Sequence, residues 1–456
     1  MNIRQAILKV FSANFLQLIS SLIVGFFVPA ILSIDGYASL KTYTLYISYI
    51  AFLNLGFVDG IYLKYGGKTL ETIDKGVLKG EHKFLFVFQL FVTIIVFLVS
   101  IILKNLILFM FSISILPIMM QGFFKNLYQA TGNFDKYSKI MYLYTVSYMI
   151  LNILLALVFR CENYILYCLT TFGANLISVI IFEIKFLSEY KNEKTTITKE
   201  VFNNIKSGFF ILLGNISVVA LFGIDKWFVK LFLTVEDFAY YSFAVAMLNI
   251  INVLINAISI TFYNYLFENK SEEKINKLKK YLVSLGGFAS IGYFALAFIV
   301  NCFIKKYIPS LNIVAITFAI FPYMILINSL YVNLYKVNRN EKKYFKVVIT
   351  MLFVSIIYNL IAVLIFKNSL AIAFTTILTL ITWVIYSSND LESVKNDKKI
   401  YIYCFFLTTL FLFCAHLKNI WMGAAIYFIV YICITYVFNI DVYLDLKRMI
   451  VKKLKK

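Results

Sequence analysis

Asp225 and Lys226 stand side by side in an apolar stretch that runs roughly from residue 207 to 231. Ionisable groups in hydrocarbon are costly, and by default they mark a functional path. Adjacent residues on a helix point about 100° apart, so the two charges need not pair with each other. Lys226 is a long, flexible cation able to reach into a wet cavity and hold an anionic group; the alternative is that it snorkels to the membrane interface. Asp225 reads either as its counter-charge or as the site of a coupling proton or sodium ion. A third ionisable group, Asp59, falls near the end of the second apolar run, just before Lys64. It is a candidate for gating or ion coupling, or else a helix-end carboxylate paired with loop lysines.

Uncharged polar residues form a clearer pattern. Asn249, Asn252, Asn256 and Tyr263 recur at i, i+3, i+7 and i+14, along one face of a helix. Such a stripe is expensive against lipid tails, so it either bonds neighbouring helices or lines a water-filled passage. Amides and tyrosines both donate and accept, which suits sugar hydroxyls. Asn14 and Gln17 in the first run, Gln121 and Asn126 in the fourth, and Asn215 in the seventh are similar candidates. His82, in a basic loop, and His416, at a helix end, are too far apart to suggest a ligand pair. Six scattered cysteines show no C-x-x-C and read as small core residues, so no metal or other cofactor is expected. Pro29, Pro117 and Pro322 lie inside apolar runs, where each removes a helical hydrogen bond and sets a candidate kink.

The elements that must hold these residues are transmembrane helices. The chain has 456 residues, 61% hydrophobic and only 14% charged, with mean hydropathy +0.84. No soluble domain has enough interior for that much apolar side chain. A β-barrel would show short alternating strands, whereas these runs are long and apolar on all sides. Runs of crossing length fall near 6–32, 42–63, 84–103, 106–128, 140–159 and 164–184. They continue near 207–231, 238–266, 281–304, 311–335, 347–366 and 369–387, with a last pair near 400–416 and 420–440. With the N-terminus inside, alternate loops collect 34 of the 43 Lys and Arg on the inner side and eight on the outer side, with Lys226 within a span. The expectation is about fourteen spans with both ends in the cytoplasm. The +20 net charge then reflects topology rather than nucleic-acid binding, and the basic stretch from Lys447 to Lys456 lies against anionic lipid headgroups.

Two sets of six runs match weakly at an offset of 201 residues: Asn14 with Asn215, Asp35 with Glu236, Tyr37 with Phe238 and Ala38 with Ala239. In each set an outer loop carrying an acidic residue and a D-G-Y-A or D-F-A-Y turn precedes the second helix. Parallel repeats of this kind are a transporter signature, with the substrate site between the lobes. The predicted lobes are residues 1–206 and 207–399, followed by a helix pair and basic tail at 400–456.

At these positions the chain resembles a known family. Leu55 to Gly67, L-G-F-V-D-G-I-Y-L-K-Y-G-G, resembles the end of the second helix of bacterial polysaccharide repeat-unit flippases. Gly208 to Ser242 resembles their seventh helix and following loop, through Gly214-Asn215, Ile224 to Lys226 and Glu236 to Ser242. These flippases belong to the multidrug/oligosaccharidyl-lipid/polysaccharide (MOP) superfamily. The resemblance implies an all-α, MATE-like membrane fold of two six-helix lobes plus a C-terminal pair, in the bacterial cytoplasmic membrane. It also implies export of polyprenyl-pyrophosphate-linked oligosaccharide for O-antigen, capsule or exopolysaccharide, with polysaccharide polymerases as partners. Lys226 would then face the pyrophosphate. With no Walker A sequence, energy would come from a proton or sodium gradient, the membrane potential or consumption of product. A lipid II flippase and a multidrug or cation antiporter are the alternatives within the superfamily. A membrane-embedded polymerase or glycosyltransferase is the alternative of another class, disfavoured by outer loops too small to carry a catalytic site.

Overall fold

In hydrocarbon every backbone N–H and C=O must be bonded within the chain, and long apolar runs achieve that as helices. The computed structural model describes residues 3–268, 271–391, 395–441 and 444. Among them all regular structure is helical. One compact unit is Met1–Ala220 and the other is Leu221–Lys456. The first holds α1 (Ile3–Ile31), α2 (Ile34–Ser48), α3 (Phe57–Tyr65), α4 (Lys75–Ile102), α5 (Leu106–Ala130), α6 (Phe134–Ile153) and α7 (Tyr164–Glu189). The division falls inside α8 (Glu200–Phe232). The second unit continues with α9 (Val235–Glu268), α10 (Glu272–Ser290), α11 (Gly292–Phe303), α12 (Leu311–Phe318), α13 (Phe321–Leu326) and α14 (Val332–Val337). It closes with α15 (Glu341–Ile365), α16 (Ser369–Asp390), α17 (Lys398–Ala415) and α18 (Ile420–Phe438).

Among the described residues eleven continuous helices are long and apolar enough to cross a membrane, and the count reaches thirteen if each of two bent helix pairs is one span. The 34-residue α9 lies over the eighth expected run. At 1.5 Å per residue it is about 50 Å long, well beyond the ~30 Å hydrocarbon core. It stands outside that tally. The chain is a multi-pass membrane protein.

Several helices start earlier than hydropathy alone predicts, because polar residues cap them beyond the apolar run. The D-G-Y-A segment, expected as a loop turn, is the first turn of α2, where Ser33 Oγ accepts from Gly36 N at 3.0 Å. The D-F-A-Y segment is likewise the first turn of α9. There Thr234 Oγ1 accepts from Asp237 N at 3.1 Å and donates to Asp237 Oδ2 at 2.7 Å. Both acidic residues of the repeat, Asp35 and Glu236, therefore sit at a positive helix end. Their neighbours share an environment too: Tyr37, Ala38, Phe238 and Ala239 are all buried. His82, expected in a loop, is a buried residue of α4. Its Nε2 lies 2.9 Å from Glu183 Oε1 and its ring stacks on Phe186 at 4.5 Å.

The prolines do not place the main bend. Pro117 lies inside a continuous α5 and Pro29 inside α1, while Pro322 sits in the first turn of α13, next to a 41° break. The larger bend, 60°, divides the second crossing at Leu55 and Gly56. Both have positive φ, 53° and 86°, a conformation natural for Gly and strained for Leu. The peptides at the break find side-chain partners. Asn54 Oδ1 accepts from Gly56 N at 2.8 Å and Gln89 Nε2 donates to Leu53 O at 3.0 Å, while Asn126 Nδ2 adds a 3.3 Å bond to Val58 O in the first turn of α3.

Below the break α3 packs on the start of α8 with backbone nearly touching backbone. A Cβ on Gly60 would stand 2.0 Å from Asn204 O, and one on Gly208 would stand 1.9 Å from Gly56 O. Beside this seam Glu81 is buried, and its carboxylate accepts from Lys64 Nζ at 2.7 Å, Asn204 Nδ2 at 2.7 Å and Tyr65 OH at 2.6 Å. Lys64 also pairs with Glu200.

Candidate functional site

In the second unit, α8, α9, α15 and α16 converge on one carboxylate. Asp225 is buried, and three neutral donors reach it from three other helices. Asn359 Nδ2 of α15 donates to Oδ1 at 2.8 Å, while Thr376 Oγ1 of α16 and Tyr241 OH of α9 donate to Oδ2 at 2.5 and 3.2 Å. Asn359 is itself held: its Nδ2 also donates to Ser355 O at 2.9 Å, and its Oδ1 lies 2.7 Å from Thr375 Oγ1. A carboxylate at membrane depth is tolerable only when fully hydrogen-bonded, and these amides and hydroxyls supply that environment. No group of three or more His, Cys, Asp or Glu that could hold a metal occurs among the described residues.

The Asp225 oxygens are occupied by these neutral donors rather than by Lys226, which is half-buried one residue further along α8. In the first unit, two other predicted residues meet. Asn215 of α8 donates Nδ2–H to Asp59 Oδ1 of α3 at 3.4 Å. Asp59 therefore faces an amide of the neighbouring helix. It stands one turn before Lys64, whose own partners are Glu81 and Glu200.

No protein-family model matches the chain, and no curated protein matches it. Solved structures do match. Lipid II flippase MurJ in an inward closed conformation aligns over 96% of this chain and 99% of its own, with TM-score 0.67 and 15% identity. An inward-facing multidrug resistance MATE family transporter of the MOP superfamily covers 85% of this chain and 98% of its own, with TM-score 0.58 and 11% identity. A MOP superfamily transporter from Pyrococcus furiosus gives TM-score 0.52 and 9% identity over 86% of this chain and 96% of that one. The fold is that of the MOP transporters.

Within this MOP fold the other predicted residues divide. Asn14 and Gln17 are both exposed on α1, and Gln17 lines a small polar pocket against α6. Asn252 Nδ2 donates to Asn249 Oδ1 at 3.4 Å, so these two α9 amides share a face; Asn252 Oδ1 is buried with no hydrogen-bond partner. Asn256 and Tyr263 lie outside the described residues as regards their side chains, as does the whole Lys447 to Lys456 stretch. Gln121 and Asn126 join helices, Gln121 Nε2 donating to Ser178 Oγ at 2.7 Å and Asn126 to the broken crossing.

Sequence reasoning did not single out Asn359, Thr375 or Thr376. Asn359 is a lone amide in the apolar run Ile356 to Phe366, and Thr375-Thr376 is a hydroxyl pair in the next run. The signal available was their isolation in such runs, the same criterion that selected Asn215. Tyr241 was visible only as part of the Glu236 to Ser242 motif.

Proposed function

We propose that this protein is a MOP superfamily flippase that moves polyprenyl-pyrophosphate-linked oligosaccharide units across the bacterial cytoplasmic membrane by alternating access. The observation that supports this best is the likeness to a lipid-linked-substrate flippase along nearly the whole of both chains. The MATE structure accounts for 85% of the chain, and the remainder is about the length of α17, α18 and the tail. In this reading both termini are cytoplasmic, and the lobes are residues 1–206 and 207–399, with residues 400–456 as an appended pair and tail. Lys226 holds the pyrophosphate, and Asn14, Gln17, Asn215, Asn249, Asn252, Asn256 and Tyr263 meet sugar hydroxyls. Asp225 takes a coupling proton or sodium ion within its ring of amide and hydroxyl donors, and Asp59 with Asn215 serves gating. The protein carries out no bond chemistry of its own and works beside polysaccharide polymerases.

The test is export of surface polysaccharide by cells whose own copy is replaced by Lys226→Ala at normal protein levels. Export is expected to fall at least tenfold; unaltered export removes Lys226 from the mechanism. A second reading, flipping of lipid II, is favoured by the likeness to lipid II flippase MurJ. Proteoliposomes offered fluorescent lipid II and a fluorescent repeat-unit lipid separate the two. Faster flipping of lipid II selects the second reading.

A further inference from the structure

The first unit contains a polar pocket that none of the interactions above uses. Gln17, Ser20 and Ser21 of α1 and Tyr144, Thr145 and Tyr148 of α6 line an open pocket of about 120 Å³, with Gln17 and Ser21 exposed at its mouth. Both stretches lie near the middle of their helices, so the pocket sits at mid-membrane depth. Polar groups at that depth ordinarily bond one another or a neighbouring helix. Here they do not. Ser21 donates back to Gln17 O of its own helix at 2.8 Å, and the bonds that link α1 to α6 among the described residues, Lys9 with Asp135 and Ser12 with Tyr142, lie more than one turn before Gln17. The Gln17 amide, the Thr145 hydroxyl and the Tyr144 and Tyr148 phenols take no protein hydrogen-bond partner among the described residues, and all four side chains border the pocket.

The lining combines one amide, three aliphatic hydroxyls and two phenols, and it carries no charge. The Tyr144 and Tyr148 rings stack on each other at 5.8 Å, with planes 14° apart, which holds both phenols in fixed positions. Such a lining has nothing to neutralise a phosphate or an ammonium group. It offers paired donors and acceptors and an aromatic edge, the chemistry that recognises a neutral ring bearing several hydroxyls. The volume equals about four waters at ~30 Å³ each, enough for one edge of a hexose to replace them.

We propose that this α1–α6 pocket is a subsite for one uncharged sugar unit, bound edge-in through Gln17, Thr145 and Tyr148. It rests on the flippase reading for its biological use, though not for its existence. The test is saturation-transfer NMR on the purified full chain in detergent micelles. The probes are the methyl glycosides of glucose, galactose, mannose and N-acetylglucosamine, with methyl phosphate as an anionic comparison. At least one glycoside is expected to receive saturation while methyl phosphate does not. Gln17→Leu combined with Thr145→Val, and separately Tyr148→Phe, are expected to weaken that glycoside at least tenfold, whereas the exposed α17 variant Thr409→Val leaves it unchanged. Helical content and gel-filtration profile identify any variant that fails to fold, and Tyr148→Phe, which keeps the ring, still decides if the double variant does. The pocket assignment is overturned if no glycoside binds, if methyl phosphate binds equally, or if the folded variants bind like the wild type. Sugar binding lost in these variants, in a protein that flips no lipid-linked oligosaccharide, would sustain the pocket and defeat the flippase reading alone.

Discussion

Replacing Asn359 with Leu isolates the energetic role of the buried carboxylate. The substitution nearly conserves volume, so the cavity contribution is small. It removes the 2.8 Å bond to Asp225 Oδ1, a hydrogen bond to a charged group worth about 1.5 to 3 kcal/mol. Thr375 loses its acceptor on Asn359 but has Ile372 O within 2.6 Å, so it adds little. A total loss of about 2 to 3 kcal/mol is expected. In an Asp225→Asn background the same bond is between neutral groups and contributes about 1 kcal/mol. The double-mutant cycle should therefore show a coupling of about 1 to 2 kcal/mol. Unfolding by SDS titration in mixed micelles can be followed through Trp383, which is buried in the same unit 6.3 Å from the Phe222 ring. Additivity within about 0.5 kcal/mol would refute the claim that Asn359 stabilises a charged Asp225.

Other outcomes follow from the same structure and can be read by the same titration. Gly60→Ala should cost more than about 3 kcal/mol, because its Cβ would meet a backbone carbonyl that cannot swing away. Gly214→Ala, with nothing within 4 Å of the new methyl, should be neutral or gain about 0.5 to 1 kcal/mol; equal effects of the two would show that α3 and α8 do not pack through glycine. Glu81→Leu should cost about 3 to 5 kcal/mol by leaving Lys64 without its buried partner. Adding Lys64→Met should restore part of that loss, and no restoration would mean the ion pair is not what holds the site. Gln89→Leu should cost about 1 to 3 kcal/mol by orphaning Leu53 O at the break, and a neutral result would mean water reaches that carbonyl.

The sequence disclosed the crossings well because lipid imposes one rule on every one of them: long apolar runs with charges at alternate ends. It disclosed the breaks poorly. The 60° bend at Leu55 and Gly56 carries no proline, and a Leu with positive φ has no signature in hydropathy. Helix starts were misplaced for a related reason, since the caps at Ser33 and Thr234 are single polar residues that a hydropathy window averages away. Asp225 could be found because a charge in an apolar run is conspicuous. Its partners could not, because Asn359 and Thr376 are 134 and 151 positions away, and only the packing of α8 against α15 and α16 brings them to it.

The broken second crossing also has a history, because its partners do not exist when it is made. Gln89, which satisfies Leu53 O, belongs to α4 and is synthesised later. It follows Leu53 by 36 positions, a delay of roughly 2 to 7 s at ordinary rates of about 5 to 20 residues per second. Until then that carbonyl would face lipid unpaired, which hydrocarbon does not tolerate. The nascent segment must therefore wait at the water-facing surface or cross first as an unbroken helix. The 60° bend is thus settled only after the fourth helix has been made.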